Sequence, residues 1–67
     1  MNFIPVVSTD IKAVAIDGNN LIIEFISGGI YEYIGAAKEL ENLLNASSKG
    51  KYFHQFIKNE YLWNPLN

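Results

Sequence analysis

The sequence contains no cysteine and no arginine, and it has one histidine among its 67 residues. Without cysteine the chain can form neither a disulfide nor a thiolate metal site. With a single imidazole, at His54, a tight metal site would need carboxylates that the strand pattern places elsewhere, so we expect neither a metal nor a cofactor. The absence of cysteine also fits a reducing compartment, and we therefore expect a cytoplasmic location.

Positive charge is scarce, because five lysines are outnumbered by seven acidic residues and the formal net charge is −2. That balance does not suit tight, sequence-independent binding along a phosphate backbone, so any nucleic-acid contact must depend on a local patch. Long apolar runs are missing too: none approaches the roughly 18 residues of a membrane span. The N-terminus has no charged segment before an apolar run, so we expect neither a signal peptide nor a membrane segment.

Apolar side chains nonetheless make up 49% of the chain, and aromatic residues make up 13%. This content is too high for a disordered chain and predicts one domain over residues 1–67 with a single core. A core of this size usually leaves only about 3–5 kcal/mol of net stability. We therefore expect oligomerisation, as a homodimer in the simplest case, to supply part of the stability.

Three strand patterns occupy the N-terminal half of the chain. Apolar and β-branched residues fill 11–17, 21–26 and 30–34, and turn residues separate them. A three-residue second loop over 27–29, with glycine in the left-handed position, would set Glu24 opposite Glu32 and keep both carboxylates off the core. The predicted core face then consists of Val14, Ile16, Leu21, Ile23, Phe25, Tyr31 and Tyr33.

The C-terminal half changes to helical spacing. Leucines at positions 40, 43 and 44 predict an amphipathic helix over 36–46. A second helix is predicted over about 50–60, with Ser47 or Ser48 as its N-cap and Phe53, Phe56, Ile57 and Tyr61 on one face. Strands followed by helices predict an α+β fold, in which a three-stranded antiparallel meander carries two helices on one face in the order βββαα.

The other face of the predicted sheet is more apolar than a sheet surface in water normally is. It would carry Ala13, Ala15 and four isoleucines around the two glutamates. Two interpretations stay open: a second copy or a protein partner docks there, or the N-terminal residues 3–7 or the tail cover it. Whether residues 3–7 form a further strand is also open. The candidate interface residues are Ile22, Ile26, Ile30 and Ile34.

Several segments of the chain carry a family resemblance: Ser8 with Ile11, the alternating Leu21, Ile23 and Phe25, the Gly28-Gly29 turn, Tyr31-Glu32-Tyr33, a leucine-bearing helix, Ser47-Ser48-Lys49-Gly50-Lys51-Tyr52-Phe53, and Ile57 with Tyr61. Together they resemble the KTSC domain family, which is named for the C-terminus of certain lysyl-tRNA synthetases and also occurs as small stand-alone bacterial proteins. The resemblance covers nearly the whole chain and implies a binding domain for which RNA is the proposed ligand. The chain departs from the more basic members in having no arginine.

Serines and lysines gather at the start of the second predicted helix and continue along it. Free backbone N–H groups, hydroxyls and ammonium groups there can converge on an anion such as phosphate, or they can form an ordinary solvated helix cap. The positive stripe along the helix has the same two interpretations, a binding surface or a wet face. The candidate anion or nucleic-acid site consists of Ser47, Ser48, Lys49, Gly50, Lys51, His54 and Lys58.

Tyr31 and Tyr33 lie two residues apart on one predicted strand and so project to the same side. They can stack nucleobases, or they can be core residues, in which case helices on that face exclude stacking. No catalytic residue is predicted, because Glu24 and Glu32 have no nucleophile beside them and no Ser-His-Asp spacing is present. We expect a non-catalytic module that binds RNA or another polyanion. The alternative is a protein-interaction or small inhibitor-like module that acts as a homo-oligomer through the apolar sheet face.

Overall fold

Five antiparallel strands form one sheet in the computed structural model, which describes all 67 residues. The strands lie side by side in chain order, and two helices follow β4. The α+β class is therefore confirmed, whereas the three-stranded meander is wrong by two strands. The elements are β1 (Ile4–Pro5), β2 (Ile11–Asp17), β3 (Asn20–Phe25), β4 (Ile30–Tyr33), a 3₁₀ turn (Ala36–Glu39) leading into α1 (Leu40–Asn45), α2 (Lys49–Tyr52) continuing into a π turn (Phe53–Ile57), and β5 (Trp63–Pro65).

The two additional strands come from the two ends of the chain. β1 pairs with β2, and β5 pairs with β4, so the tail docks on the sheet edge. The tail is held by backbone bonds from Ile34 N–H to Leu62 O (2.8 Å) and from Leu66 N–H to Ile30 O (2.7 Å). With two and three residues, these strands are too short to show an alternating pattern, and only their pairing partners define them.

Both prolines of the chain lie in the edge strands, Pro5 in β1 and Pro65 in β5. Proline has no backbone N–H and cannot donate to a further strand. Each edge of the sheet is therefore poorly suited to pairing with the edge of another copy.

The first hairpin brings Val14 onto the predicted core face. Asp17 pairs with Asn20 across a two-residue turn, in which Gly18 has a φ of 61°, as the first central residue of a type II′ turn requires. A bulge between Ile11 and Ala13 then changes the parity of β2. Because of this bulge, Ile11 and Val14 both join the core, although they lie three residues apart.

The second hairpin keeps the predicted faces but not the predicted pairs. Glu24 pairs with Ile30, and Glu32 pairs with Ile22, so the expectation that the two glutamates oppose each other is wrong. The loop has three residues as predicted, but it comprises 26–28, with Gly28 at a φ of 107°. The register is thus shifted by two residues. Because side chains alternate with a period of two, this shift leaves every residue on its predicted face.

Both helices pack on the predicted core face of the sheet. The ring of Phe53 lies edge-on to Phe25 (centroids 5.2 Å apart) and to Tyr33 (5.4 Å). Burial raises the pKa of the Tyr33 hydroxyl to about 12. Ile16, predicted in the core, is instead 37% exposed at the end of β2. The buried core cluster consists of Ile11, Val14, Leu21, Ile23, Tyr33, Ala36, Leu43, Phe53 and Ile57.

The second helix is not a uniform α-helix. Of the two predicted N-cap residues, Ser48 caps the helix. The Oγ of Ser48 accepts a hydrogen bond from Lys51 N–H (3.3 Å). The chain then widens into the π turn, where Lys58 N–H donates to Phe53 O (2.9 Å). Phe56, predicted on the buried face, is largely exposed and stacks on Tyr52 instead. Neither helix has the length and apolar character that crossing a bilayer requires.

The reverse face of the sheet is only partly open. Ala13, Ala15 and Ile22 are buried there, so Ile22 cannot belong to an exposed interface as predicted. Ile30 is half-buried, while Ile26 (55%) and Ile34 (39%) remain exposed. The continuous apolar face that the sequence predicts is therefore interrupted at Ile22, and Ile26 lies in the β3–β4 loop beyond the end of β3.

The two glutamates lie on this reverse face, off the core as predicted. Glu24 forms a salt bridge with Lys12 (3.7 Å), and Glu32 accepts a hydrogen bond from Asn64 Nδ2 (3.5 Å). At these distances and on an exposed surface, both contacts contribute little to stability.

Glu39, at the end of the 3₁₀ turn, links that turn to Tyr52 in α2 and to Tyr61, which follows the π turn. Its two carboxylate oxygens accept hydrogen bonds from the hydroxyls of Tyr52 and Tyr61, each at 2.6 Å. The bonds from Tyr52 and then Tyr61 lower the pKa of Glu39. In return, Glu39 raises the pKa of Tyr52, and it raises that of Tyr61 to about 12.

Replacing this carboxylate, as in Glu39→Gln, is expected to lower the free energy of unfolding at pH 7 by about 1 kcal/mol, because the bonds are charge-assisted but partly exposed. The pKa of Glu39 is lowered on folding, so the difference from wild type should disappear as pH falls through that lowered pKa. Because folding raises the pKa values of Tyr52 and Tyr61, the difference from wild type should also shrink as pH rises from 10 to about 12. Urea unfolding at several pH values measures this. Glu41→Gln, at an exposed position of α1, is the matched control, and an equal loss in both variants would contradict the assignment.

Candidate functional site

A cleft of about 780 Å³ opens where the β3–β4 turn, the π turn and β5 meet. We call it the aromatic cleft, because five aromatic rings line it: Phe25, Tyr31, Tyr33, Phe53 and Trp63. Its polar lining consists of Thr9, Asp10, Ser27, His54, Lys58 and Asn59, with Ile26 completing the wall. The cleft therefore combines ring surfaces with both cationic and hydrogen-bonding side chains.

Trp63 and Tyr31 supply the accessible rings of the aromatic cleft. Their ring centroids lie 5.4 Å apart at an angle of 82°, and Trp63 is 52% exposed. Gly29 leaves room for the Tyr31 ring, because a Cβ atom at that position would lie 2.9 Å from Tyr31 Cε2. Rings held in this way can stack on a flat ligand such as a nucleobase.

The two tyrosines of the predicted stacking pair differ in burial. Tyr31 is half-buried and reaches the aromatic cleft, whereas Tyr33 is 5% exposed and packs against Phe53. Tyr33 is therefore a core residue, which is the second of the two interpretations given for Tyr31 and Tyr33. The ring next to Tyr31 in the aromatic cleft is instead that of Trp63, whose backbone pairs with Tyr33.

The predicted anion site divides between two places. His54 and Lys58 line the aromatic cleft. Four others, Ser47, Ser48, Lys49 and Gly50, line a separate hollow of about 380 Å³ beside residues 7–9, and Lys51 lines neither.

The hollow at the start of α2 is poorly suited to an anion. Lys49 Nζ donates a hydrogen bond to Ala46 O (3.2 Å), and Ser48 Oγ is occupied by the Lys51 amide. The carboxylate of Asp10 lies over Gly50, where a Cβ atom would be 2.6 Å from Asp10 Oδ2. A negative side chain thus already faces this helix start and would repel a phosphate.

Sequence reasoning missed Trp63 and Asp10 as site residues. Trp63 is the single tryptophan of the chain, but its strand has only three residues and shows no pattern of its own. Asp10 precedes β2, and its amide donates to Ser8 Oγ (3.1 Å), as does that of Ile11 (3.2 Å). The spacing of Ser8 to Asp10 indicates such a serine turn but not the cleft beside it.

No group of three or more histidine, aspartate or glutamate side chains lies close enough together to hold a metal ion. The aromatic cleft offers a ligand its rings, the Lys58 ammonium and hydrogen-bonding groups that include His54 and Asp10.

Comparison with known proteins gives one family. The family model of the KTSC domain matches residues 7–61. Over 48 residues, or 70% of this chain, the sequence is 48% identical to a lysine–tRNA ligase of a Nostoc species and 46% identical to that of Trichormus variabilis. The chain spans 9% of the length of these relatives. A crystal structure of a KTSC domain protein from Yersinia pestis matches with a TM-score of 0.91 and 32% identity, over 98% of this chain and 97% of that one.

The contact between Asp10 and Gly50 predicts a non-additive pair of substitutions. Alanine at Gly50 should stabilise α2 by about 0.5–1 kcal/mol through helix propensity, but only where the Asp10 carboxylate does not have to move. Gly50→Ala should therefore stabilise the Asp10→Ala protein more than it stabilises the wild type. Urea unfolding of the four proteins of this double-mutant cycle measures the coupling. Equal effects of Gly50→Ala in both backgrounds would show that the two residues are not in contact.

Proposed function

Because this chain belongs to the KTSC domain family, we propose that it is a non-catalytic module that binds single-stranded RNA in the aromatic cleft. Bases stack against Trp63 and Tyr31, and Lys58 and His54 contact the phosphates. We place the protein in the cytoplasm, because a chain without cysteine has no disulfide that the reducing conditions there could break.

One observation supports this proposal above the others: the accessible rings and the Lys58 ammonium line the same cleft. Stacking of a base on an aromatic side chain contributes about 1–3 kcal/mol and tolerates any base sequence. Phosphate contacts add affinity and salt dependence. A duplex would hold its bases stacked on each other, so the cleft favours unpaired RNA.

The relatives support RNA as the ligand rather than another polyanion. Lysine–tRNA ligases are named for an RNA substrate, and they contain a segment 44–48% identical to this chain. The match covers 9% of those proteins, so we carry over a contact with RNA and not the ligase reaction. The net charge of −2 agrees with a short binding site rather than with a long phosphate-binding groove.

A second candidate function is a protein-interaction or inhibitor-like module that acts as a homodimer. The observation that favours it is the exposed apolar pair of Ile34 and Leu62, which the hydrogen bond from Ile34 N–H to Leu62 O holds together. The proline-bearing edges disfavour pairing through the sheet, so we propose that such a dimer uses this apolar pair instead.

If the dimer exists, Ile34→Lys should convert it to a monomer, because the new charge would be buried in the interface. Multi-angle light scattering of the wild type and this variant measures the mass directly. Ile16→Lys, at a similarly exposed isoleucine, serves as the control. A wild type that is monomeric at high concentration would exclude the homodimer.

RNA binding should be visible in the fluorescence of Trp63, the single tryptophan, when a five-nucleotide single-stranded RNA is titrated at several salt concentrations. Lys58→Gln should weaken binding and make the plot of log affinity against log salt shallower by about 0.7–1. Lys12→Gln removes the same charge outside the cleft and should leave the slope unchanged. Affinity without salt dependence, or equal effects of the two variants, would contradict the proposal.

A further inference from the structure

We infer that Asn67 is a positioning residue of the aromatic cleft: its side chain binds β5 to the β3–β4 turn and thereby holds Trp63 beside Tyr31. The effect on Trp63 follows from the fold alone, whereas the effect on RNA affinity rests on the proposed function. The inference depends on the hydrogen bonds of Asn67, on the exposure of β5 and on the ring contact between Trp63 and Tyr31.

The side-chain amide of Asn67 forms two hydrogen bonds with the end of the β3–β4 turn. Its Oδ1 accepts from Ile30 N–H (3.0 Å), and its Nδ2 donates to Gly28 O (2.9 Å). Facing residues of an antiparallel ladder can exchange two backbone bonds. Leu66 N–H donates to Ile30 O (2.7 Å), but the Ile30 amide donates to the Asn67 side chain instead of the Leu66 carbonyl. The Asn67 side chain thus extends the hydrogen bonding of the tail beyond the backbone ladder.

The β3–β4 turn is itself held by backbone bonds. Gly28 N–H donates to Phe25 O (2.9 Å), and Phe25 N–H donates to Gly29 O (2.8 Å). Within this turn, the missing side chain of Gly29 leaves the space that the Tyr31 ring occupies. The same turn therefore makes room for Tyr31 and anchors the strand that carries Trp63.

Burial contributes little to the docking of β5. All three residues of the strand are exposed, and none belongs to the buried core cluster. At the other end of the strand, Leu62 accepts the hydrogen bond from Ile34 N–H but is 80% exposed. A strand without a buried face is held mainly by its hydrogen bonds, and each such bond typically shifts an equilibrium by roughly 2- to 12-fold. Losing the two bonds of Asn67 should therefore release β5 measurably.

Trp63 reaches the aromatic cleft only through β5. Its backbone pairs with Tyr33, and its ring lies edge-on to Tyr31 with the centroids 5.4 Å apart. Release of the strand would move the indole away from Tyr31 and remove one of the two accessible rings. A ligand would then have to order this ring again on binding, which lowers its affinity.

The first test uses the protein without RNA. In Asn67→Ala, the fluorescence of Trp63, the single tryptophan, should shift to longer wavelength, and acrylamide should quench it more strongly, because the indole is more often in water. Asn67→Asp has nearly the same shape but cannot donate to Gly28 O, so it should change the spectrum in the same direction. Asn64→Ala, on the same strand, is the matched control and should keep the wild-type spectrum, since Asn64 Nδ2 contacts Glu32 at 3.5 Å on the reverse face.

The second test measures the affinity for a fluorescently labelled UUUUU pentamer by anisotropy. Asn67→Ala should bind about threefold or more weakly than the wild type, whereas Asn64→Ala should bind as well as the wild type. Trp63→Ala should lose at least as much affinity as Asn67→Ala. Because Asn67 acts through Trp63, the double variant should bind no more weakly than Trp63→Ala alone.

A wild-type Trp63 spectrum in Asn67→Ala, or equal effects of Asn67→Ala and Asn64→Ala, would overturn the inference. Unchanged pentamer affinity in Asn67→Ala, or additive losses in the double variant, would overturn it as well. Asn67→Ala should keep the cooperative urea unfolding of the wild type, because the core cluster contains no residue of β5. Failure of the wild type to bind the pentamer would instead refute RNA binding, and the Trp63 spectrum would still decide whether Asn67 holds β5.

Discussion

The packing of Phe53 onto the sheet is the contact on which the rest of the structure depends. Its ring meets Phe25 and Tyr33 edge-on and lies almost fully buried between the helical layer and strands β3 and β4. The π turn that begins at Phe53 places Ile57 in the same core while it turns Phe56 outward. Because Phe53 also lines the aromatic cleft, the core and the candidate site share one wall. A ligand in this cleft would rest on a surface that folding has already made rigid.

The two chain ends and the Glu39 cluster stabilise a domain that has no cysteine and so no disulfide. β1 and β5 widen the sheet to five strands, and Ala15 and Ile22 lie fully buried on its reverse face. Glu39 links the 3₁₀ turn to the hydroxyls of Tyr52 and Tyr61. Both features add stabilising contacts within one copy of the chain, whose small size limits its hydrophobic core. Some apolar side chains stay exposed, among them Ile26, which lines the aromatic cleft.

The candidate site lies where elements from distant parts of the sequence end. Asp10 comes from the segment before β2, Lys58 follows the π turn, and Trp63 begins β5. Each of these residues has an ordinary local role, in a turn, at a helix end or in a short edge strand. Their combination of ring, cation and carboxylate exists only because the sheet order brings these ends together. The helix start that the local sequence favours as an anion site is instead faced by the Asp10 carboxylate.

Local patterns were sufficient to predict the α+β class, the strands β2 to β4, the core face of the sheet and a serine cap at position 47 or 48. Alternation and helical spacing are set by backbone geometry within a few residues, and a register shift of two leaves side chains on the same face. The bulge beside Ile11, the edge strands, the π turn and the aromatic cleft could not be predicted in this way. Each depends on hydrogen bonds or packing with residues far along the chain, and only the tertiary structure decides those partners.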